Sequence, residues 1–298
     1  MGDLAQLKDR IFNYQLDGSN LGNLGYTRIL LQICGPTGNG KSSLINSFKY
    51  ALYDQKFSIL APVAPAQESL GGFTTKRLSY ELTKVITLVD NRGFGKSDSF
   101  EKEEVYAQLA NFQPLDVEVT WDRSYEYRMD EVISSALNTN DLLVPIYVHS
   151  AATQIPEGDK KEMVEFFQTI NKLTGFLPIV VLTNRLSPNA EKMHKQFKAM
   201  GVESVFEVEN YINEDHNKTI GKDRSFLTIL SALLDMVDFV SNKVVPILES
   251  PEQEHRKRMK VLLKMAHDND MERRERERLK ENVPRQTPPP QKKGALSC

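Results

Sequence analysis

The apolar run Arg28-Ile29-Leu30-Leu31-Gln32-Ile33-Cys34 stops at Gly35, where the chain reads Gly35-Pro36-Thr37-Gly38-Asn39-Gly40-Lys41-Ser42, and helical spacing resumes at once with Leu44, Phe48 and Leu52. No other feature constrains the fold as strongly. A buried strand that feeds a helix through a short loop is the opening unit of a layered α/β domain. Glycines 35, 38 and 40 let the backbone turn tightly enough for successive N–H groups to point inward, where a side chain would intrude. The unpaired amides at the start of the following helix add a positive field at the same spot. Lys41 adds a mobile ammonium, so the loop has the composition of a phosphate cradle.

The remaining periodicities fill in the same architecture. Leu4, Leu7, Ile11 and Phe12 fall at helical spacing, and Gly18 to Gly25 then break the pattern, which predicts a leading helix and a flexible connection over 1–25. Strands are predicted over 77–82 and 85–89, joined by a tight hairpin at Thr83-Lys84, and over 142–148, 177–182 and 204–208. Pro145 inside the third of these predicts a bulge or an edge position in part of that strand. Helices are predicted over 101–112, 159–172, 189–200 and 224–240, with 112–140 a partly ordered excursion. Strand and helix alternate, so the expected fold class is α/β with a mostly parallel doubly wound sheet, and the phosphate cradle after its first strand makes it a three-layer P-loop NTPase. The nucleotide-binding domain is expected over 26–248, a charged, solvated helical extension over 249–283, and a disordered tail over 284–298, where Pro284, Pro288, Pro289 and Pro290 cluster.

Charge narrows the partners. Residues 251–298 hold 13 Lys or Arg against 8 Asp or Glu, which leaves 25 against 32 and a net −7 on the rest. An acidic body of this kind argues against nucleic acid. No stretch reaches the length of a transmembrane helix, and Cys34 and Cys298 form neither a metal-ligand spacing nor a disulfide framework, so the cytosol is the expected compartment.

The cradle assigns roles to its neighbours. Gly35, Pro36, Thr37, Gly38, Asn39, Gly40, Lys41, Ser42 and Ser43 are the expected phosphate contacts, with Lys41 on the β and γ phosphates and the Ser42 hydroxyl in a Mg²⁺ shell. Asp90 ends the apolar run Val85 to Val89, where ligands bind in open α/β sheets, and its carboxylate is a second candidate for the metal. Gly93 is placed to offer its N–H to the γ-phosphate. Thr74 or Thr75, with Thr75 preferred, ends a glycine-containing loop and would complete the metal shell when triphosphate is bound. Lys41 and Thr75 are the candidate catalytic groups.

In this order, on these elements, the motifs resemble those of the P-loop GTPase superfamily. More closely, the chain resembles the interferon-induced protein 44 family through Gly35-Pro36-Thr37-Gly38-Asn39-Gly40-Lys41-Ser42-Ser43-Leu44-Ile45-Asn46-Ser47, the strand ending Leu182-Thr183, Asn210-Tyr211, and Ile229-Leu230-Ser231-Ala232-Leu233. The likeness spans roughly residues 26–245. It implies a cytoplasmic GTP-binding protein of innate immunity, induced by interferon, with GTP or GDP as ligand and a role in restraining cell growth or viral replication. Thr183, Asn184 and Asn210 are then the expected contacts near the base.

Two departures bear on activity. GTPases end the corresponding strand with Asn or Thr, Lys, any residue, Asp, and this chain has Thr183-Asn184-Arg185-Leu186. Leu186 cannot accept the two hydrogens of the guanine edge. Where many GTPases carry a water-orienting glutamine, this chain has Phe94, which predicts slow unaided hydrolysis. His149 and Arg92 are polar groups that nothing in the sequence aims at a phosphate. Three readings stay open: a weak GTPase that switches a surface for a protein partner or a second copy of itself, a nucleotide-gated binding module without turnover, and an ATP-dependent small-molecule kinase with Arg123 and Arg128 as its lid.

Overall fold

The computed structural model describes residues 2–62, 76–94, 99–118, 124–134, 140–243 and 247–281. Helices α1 (Gly2–Phe12) and α2 (Asn20–Asn23) lead into strand β1 (Arg28–Cys34), helix α3 (Lys41–Leu52), and strands β2 (Leu78–Glu81) and β3 (Ile86–Asp90). Helices α4 (Ser99–Leu109) and α5 (Tyr125–Ser134) follow, then β4 (Asp141–Ser150), α6 (Asp159–Thr174), β5 (Ile179–Thr183), α7 (Ala190–Ala199) and β6 (Val205–Glu207). Two long helices, α8 (Ile220–Ser241) and α9 (Pro251–Glu281), complete the described chain.

The strands form one sheet in the order β2-β3-β1-β4-β5-β6. All neighbours are parallel except β2, which runs antiparallel to β3. Crossing from β1 outward to β3 on one side and β4 on the other puts a topological switch point beside β1, and ligands of open α/β sheets bind outside the strand C-termini at such a point. The loop after β1 therefore opens where the fold leaves a crevice.

Both faces of the sheet are covered, which is why its strands read as continuous apolar runs rather than alternating ones. On one face Ile29, Leu31, Ile33, Val144 and Val148 meet Phe48 of α3, Phe226 and Leu230 of α8, and Ile11 of α1. On the other, Cys34, Tyr147, Val180 and Leu182 meet Leu109 of α4, Phe166 and Ile170 of α6, Phe197 of α7 and Leu262 of α9. This is the three-layer, mostly parallel α/β arrangement expected from the strand and helix alternation.

Three local expectations need restating. Of the two alternatives at Pro145, the edge position holds and the bulge does not: Pro145 pairs in register with Gln32, and the pairing of β4 with β5 begins only at Ile146, so the missing N–H falls where β4 has a single partner. The connection after α1 is folded rather than loose, with Ser19 Oγ accepting from Gly22 N at 3.1 Å to cap the one-turn α2. Helix α9, read as solvated, is packed along one side against α4, α5 and α6. Leu262, Ala266, Arg258 and Asp270 are buried there, and the His255 ring stacks on Phe112 at 4.6 Å. The reason lies in spacing: 255, 258, 262, 266 and 270 recur at three or four residues and make a narrow stripe through a highly charged sequence.

Candidate nucleotide-binding site

The cradle loop is held open by the backbone it touches. Gly35 has φ 142° and lies so close to β4 that a Cβ there would overlap the Val148 carbonyl, and Gly40, with φ 85°, caps α3 in the left-handed region. No side chain caps α3, so its first amides are not claimed by a capping group. Asn39 fixes the loop from three directions. Its Oδ1 accepts from Ser150 N at 2.6 Å, its Nδ2 donates to Thr37 O at 3.1 Å, and its carbonyl accepts from Thr183 Oγ1 at 3.0 Å. The ends of β4 and β5 thereby fix the course of the loop.

Lys41, Ser42 and Asp90 meet where the loop enters α3. Lys41 is buried and its Nζ donates to Pro36 O at 3.0 Å, closing the loop on itself. Burial pushes its pKa down, with the Asp90 charge opposing. Asp90 is only 1% exposed, and its Oδ2 accepts from Ser42 Oγ at 2.7 Å. Burial raises its pKa, against the Ser42 hydrogen bond and the Lys41 charge. Its second oxygen, Oδ1, is buried without a hydrogen-bond partner among the described residues. A buried carboxylate oxygen left unpaired is costly, and such an atom beside a hydroxyl is a hard-oxygen donor set waiting for a cation or a water.

The chain leaving β3 runs straight back along the loop. Thr37 N donates to Phe94 O at 3.0 Å, and Pro36 and Phe94 form an isolated parallel bridge. Gly93 is the residue of closest approach: a Cβ there would stand 2.6 Å from Lys41 Nζ and 2.9 Å from Thr37 Cα. The Phe94 ring packs away among aromatic rings, 5.6 Å from Phe166 and 6.5 Å from Tyr147. Behind it lies a cavity of about 550 Å³ whose lining includes Pro36, Phe94, Tyr147, His149 and Phe166. His149 belongs to that lining, and its Nε2 lies 3.0 Å from Thr153 O.

A buried cation organises the same region, and nothing in the sequence reading had singled it out. Arg77 is 0% exposed; its Nε donates to Asn91 Oδ1 at 2.9 Å, and its other nitrogens donate to Gln32 Oε1 and Asn111 Oδ1, each at 3.2 Å, and to Gln113 O. Asn91 in turn donates to Gln32 Oε1 at 2.9 Å. Burial pushes the Arg77 pKa down to about 9, with Asp141 and Glu104 the leading opposing charges. Because Asn91 follows Asp90 directly, this network sets the direction in which the carboxylate leaves the sheet.

On the far side of Gly40, the loops after β5 and β6 converge. Asn184 has φ 55° and its Nδ2 donates to Ser150 Oγ at 2.8 Å; Asn210 Nδ2 donates to Gly40 O at 3.1 Å. Tyr211 is in the core, with its hydroxyl donating to Asp223 Oδ1 at 3.0 Å, and Leu186 is 80% exposed. The residues at 35–43, 90, 93, 183, 184 and 210 are thus neighbours around one crevice. Thr74 and Thr75 lie outside the described residues, as does Arg123.

The fold is a three-layer α/β domain with a six-stranded, mostly parallel sheet. No protein-family model matches the chain, and no curated protein matches it. Among solved structures, the chain is similar to a crystal structure described as a probable GTP-binding protein, engB, with 16% identity and a TM-score of 0.36, over 70% of this chain and 97% of that one. No helix among the described residues is long and apolar enough to cross a membrane.

Proposed function

We propose that this chain is a Mg²⁺-dependent guanine nucleotide-binding protein that hydrolyses GTP slowly and uses nucleotide state to alter a protein-binding surface. The observation that carries this reading is the meeting of Lys41, Ser42 and an Asp90 Oδ1 without a partner among the described residues, where the glycine-rich loop enters α3. Bound there, a triphosphate replaces the Pro36 carbonyl as partner of the Lys41 ammonium, and the α3 amides meet phosphate oxygens. The donor set of Ser42 and Asp90 fits Mg²⁺, which takes one or two carboxylates and leaves the rest of its shell to phosphate and water. That ion, when present, neutralises charge on the β and γ phosphates. Lys41 and the loop amides stabilise the charge that develops on the β–γ bridge and γ-phosphate oxygens. Thr75, as a further metal ligand, belongs to the same proposal.

Slow turnover follows from Phe94. Its ring packs among Phe166 and Tyr147, and a phenyl ring carries no group that can orient water. Faster hydrolysis then needs a group from a protein partner or from a second copy of the chain. The sequence likeness to the interferon-induced protein 44 family supports a cytoplasmic role in interferon-linked innate immunity.

The decisive measurement is calorimetric titration of the protein and of Lys41→Ala with GTP and with ATP in Mg²⁺. Retention of GTP by the native chain, lost in a folded Lys41→Ala, supports the proposal; equal affinity in both proteins removes it. A module without turnover is the second reading, favoured by the same packing of Phe94. Single-turnover hydrolysis of radiolabelled GTP at rising protein concentration separates them: phosphate release that grows with concentration supports the GTPase, and none at any concentration supports the module.

A further inference from the structure

We infer that Glu209 is the base-reading carboxylate of this site, replacing from the β6 loop the aspartate that Leu186 displaces from the β5 loop. The inference rests on the nucleotide-binding proposal above and names how the base would be chosen.

A nucleotide whose phosphates occupy Gly35 to Ser42 sends its base past Gly40, because the β5 and β6 loops are fastened there. Thr183 Oγ1 holds Asn39 O and Asn210 Nδ2 holds Gly40 O, which brings the two loops against the end of the cradle at Gly40. Reading guanine requires an acceptor for two donors, N1–H and the exocyclic N2–H, and a carboxylate supplies that pair in one plane. Leu186 has no acceptor and points into solvent.

The loops are tied to each other as well. Arg185 N donates to Val208 O at 3.2 Å, and Leu186 N donates to Glu209 Oε2 at 3.4 Å. The Glu209 carboxylate therefore reaches across to the backbone of the residue where the aspartate is missing. That single long contact leaves most of its acceptor capacity unused, and Glu209 forms no ion pair among the described residues. The neighbouring candidates are committed elsewhere. Glu207 Oε1 lies 2.8 Å from His194 Nδ1, the Asn184 amide is held by Ser150, and the Asn210 amide is held by Gly40. Glu209 is half-buried, so its stem is supported while its head stays available.

The chemistry makes a specific demand. Inosine lacks the N2 amino group, and xanthine carries an oxygen there, which a carboxylate repels and an amide N–H satisfies. The test is equilibrium binding of GTP, ITP, XTP and ATP, with Mg²⁺, to the full chain, to Glu209→Gln and to Lys41→Ala. Glu209→Gln keeps an acceptor for Leu186 N, and matching thermal melts confirm its fold. The native chain is expected to prefer GTP to ITP about tenfold or more, the scale of a hydrogen bond to a charged group. Glu209→Gln is expected to weaken GTP by about tenfold or more and to shift the GTP to XTP ratio toward XTP by at least about that factor. GTP to ITP and GTP to XTP ratios that stay within about twofold in Glu209→Gln, while Lys41→Ala loses every triphosphate, would overturn the inference and leave nucleotide binding intact. Absence of purine triphosphate binding in the native chain would overturn both.

Discussion

Ser42 Oγ donates to Asp90 Oδ2 at 2.7 Å, and the second oxygen, Oδ1, accepts from no group among the described residues. One hydrogen bond thus joins the start of α3 to the end of β3 and leaves the carboxylate half-satisfied. Either side chain alone is then insufficient for a cation, and the pair is expected to fail together. Ser42→Ala and Asp90→Asn should each cut the Mg²⁺-dependent gain in GTP affinity by about tenfold or more, the scale of a lost bond to a charged group. Titrations with Mg²⁺ and with EDTA measure that gain, and gains equal to the native one would remove both residues from the metal site.

Gly93 is expected to tolerate nothing larger. In Gly93→Ala the new methyl meets Lys41 Nζ at 2.6 Å and Thr37 Oγ1 at 2.8 Å, both side-chain ends that can yield, but also Thr37 Cα at 2.9 Å, which is cradle backbone. Overpacking of this kind costs about 1–3 kcal/mol, which a thermal melt detects as a fall of several degrees. Nucleotide affinity should fall with it, because the displaced atoms are those of the loop. A variant that melts and binds like the native chain would show that the two segments separate freely.

Arg77 should prove indispensable to the fold although it touches no ligand. Arg77→Met leaves Asn91 Oδ1, Asn111 Oδ1 and Gln113 O without the donor they have here, in a region closed to water. Each buried unsatisfied group costs about 1–3 kcal/mol, so a loss of about 3 kcal/mol is expected in urea unfolding. Arg77→Lys should recover little of this, since an ammonium cannot span a planar fork of four acceptors. Full recovery by lysine would mean that charge rather than geometry is what the cluster needs.

His149 should make stability sensitive to acid. Its Nε2 faces Thr153 O, its Nδ1 is buried without a partner among the described residues, and burial holds its pKa below the ordinary value of 6.5. Below about pH 6.5 the unfolded chain takes up a proton that the folded ring refuses, so this contribution is complete above that pH and is lost as pH falls toward the depressed folded value. His255, lowered by burial and by Arg258, acts with the same sign. The fall in melting temperature between pH 7 and pH 5.5 should therefore be smaller in His149→Phe, and smaller again with His255→Phe added. An unchanged fall in both variants would place the acid sensitivity elsewhere.

What could be read from the residues was what the backbone forces on them. A loop that wraps an anion needs glycine at Gly35 and Gly40 and a lysine after them, so composition and geometry coincide, and Asp90 is visible because it ends an apolar strand. Arg77 gave no such sign: an arginine in a polar stretch is ordinarily solvated, and its burial depends on Gln32, Asn91 and Asn111 arriving from three other segments. Leu186 disclosed a missing carboxylate, while its neighbour Glu209 comes from a different strand and becomes visible only when the β5 and β6 loops are set side by side. The buried stripe of α9 was hidden for another reason. Its two apolar members, Leu262 and Ala266, are outnumbered on the same helix by charges, and charge dominates any windowed reading.

The docked position of α9 has one further consequence. Because the stripe through Leu262 and Ala266 is tethered to the surface it covers, any outside molecule seeking either face competes with a rival held at an effective concentration in the millimolar range, set by the length of the linker rather than by the amount of protein present. A guest on that face would have to displace thirty-odd residues of strongly charged helix.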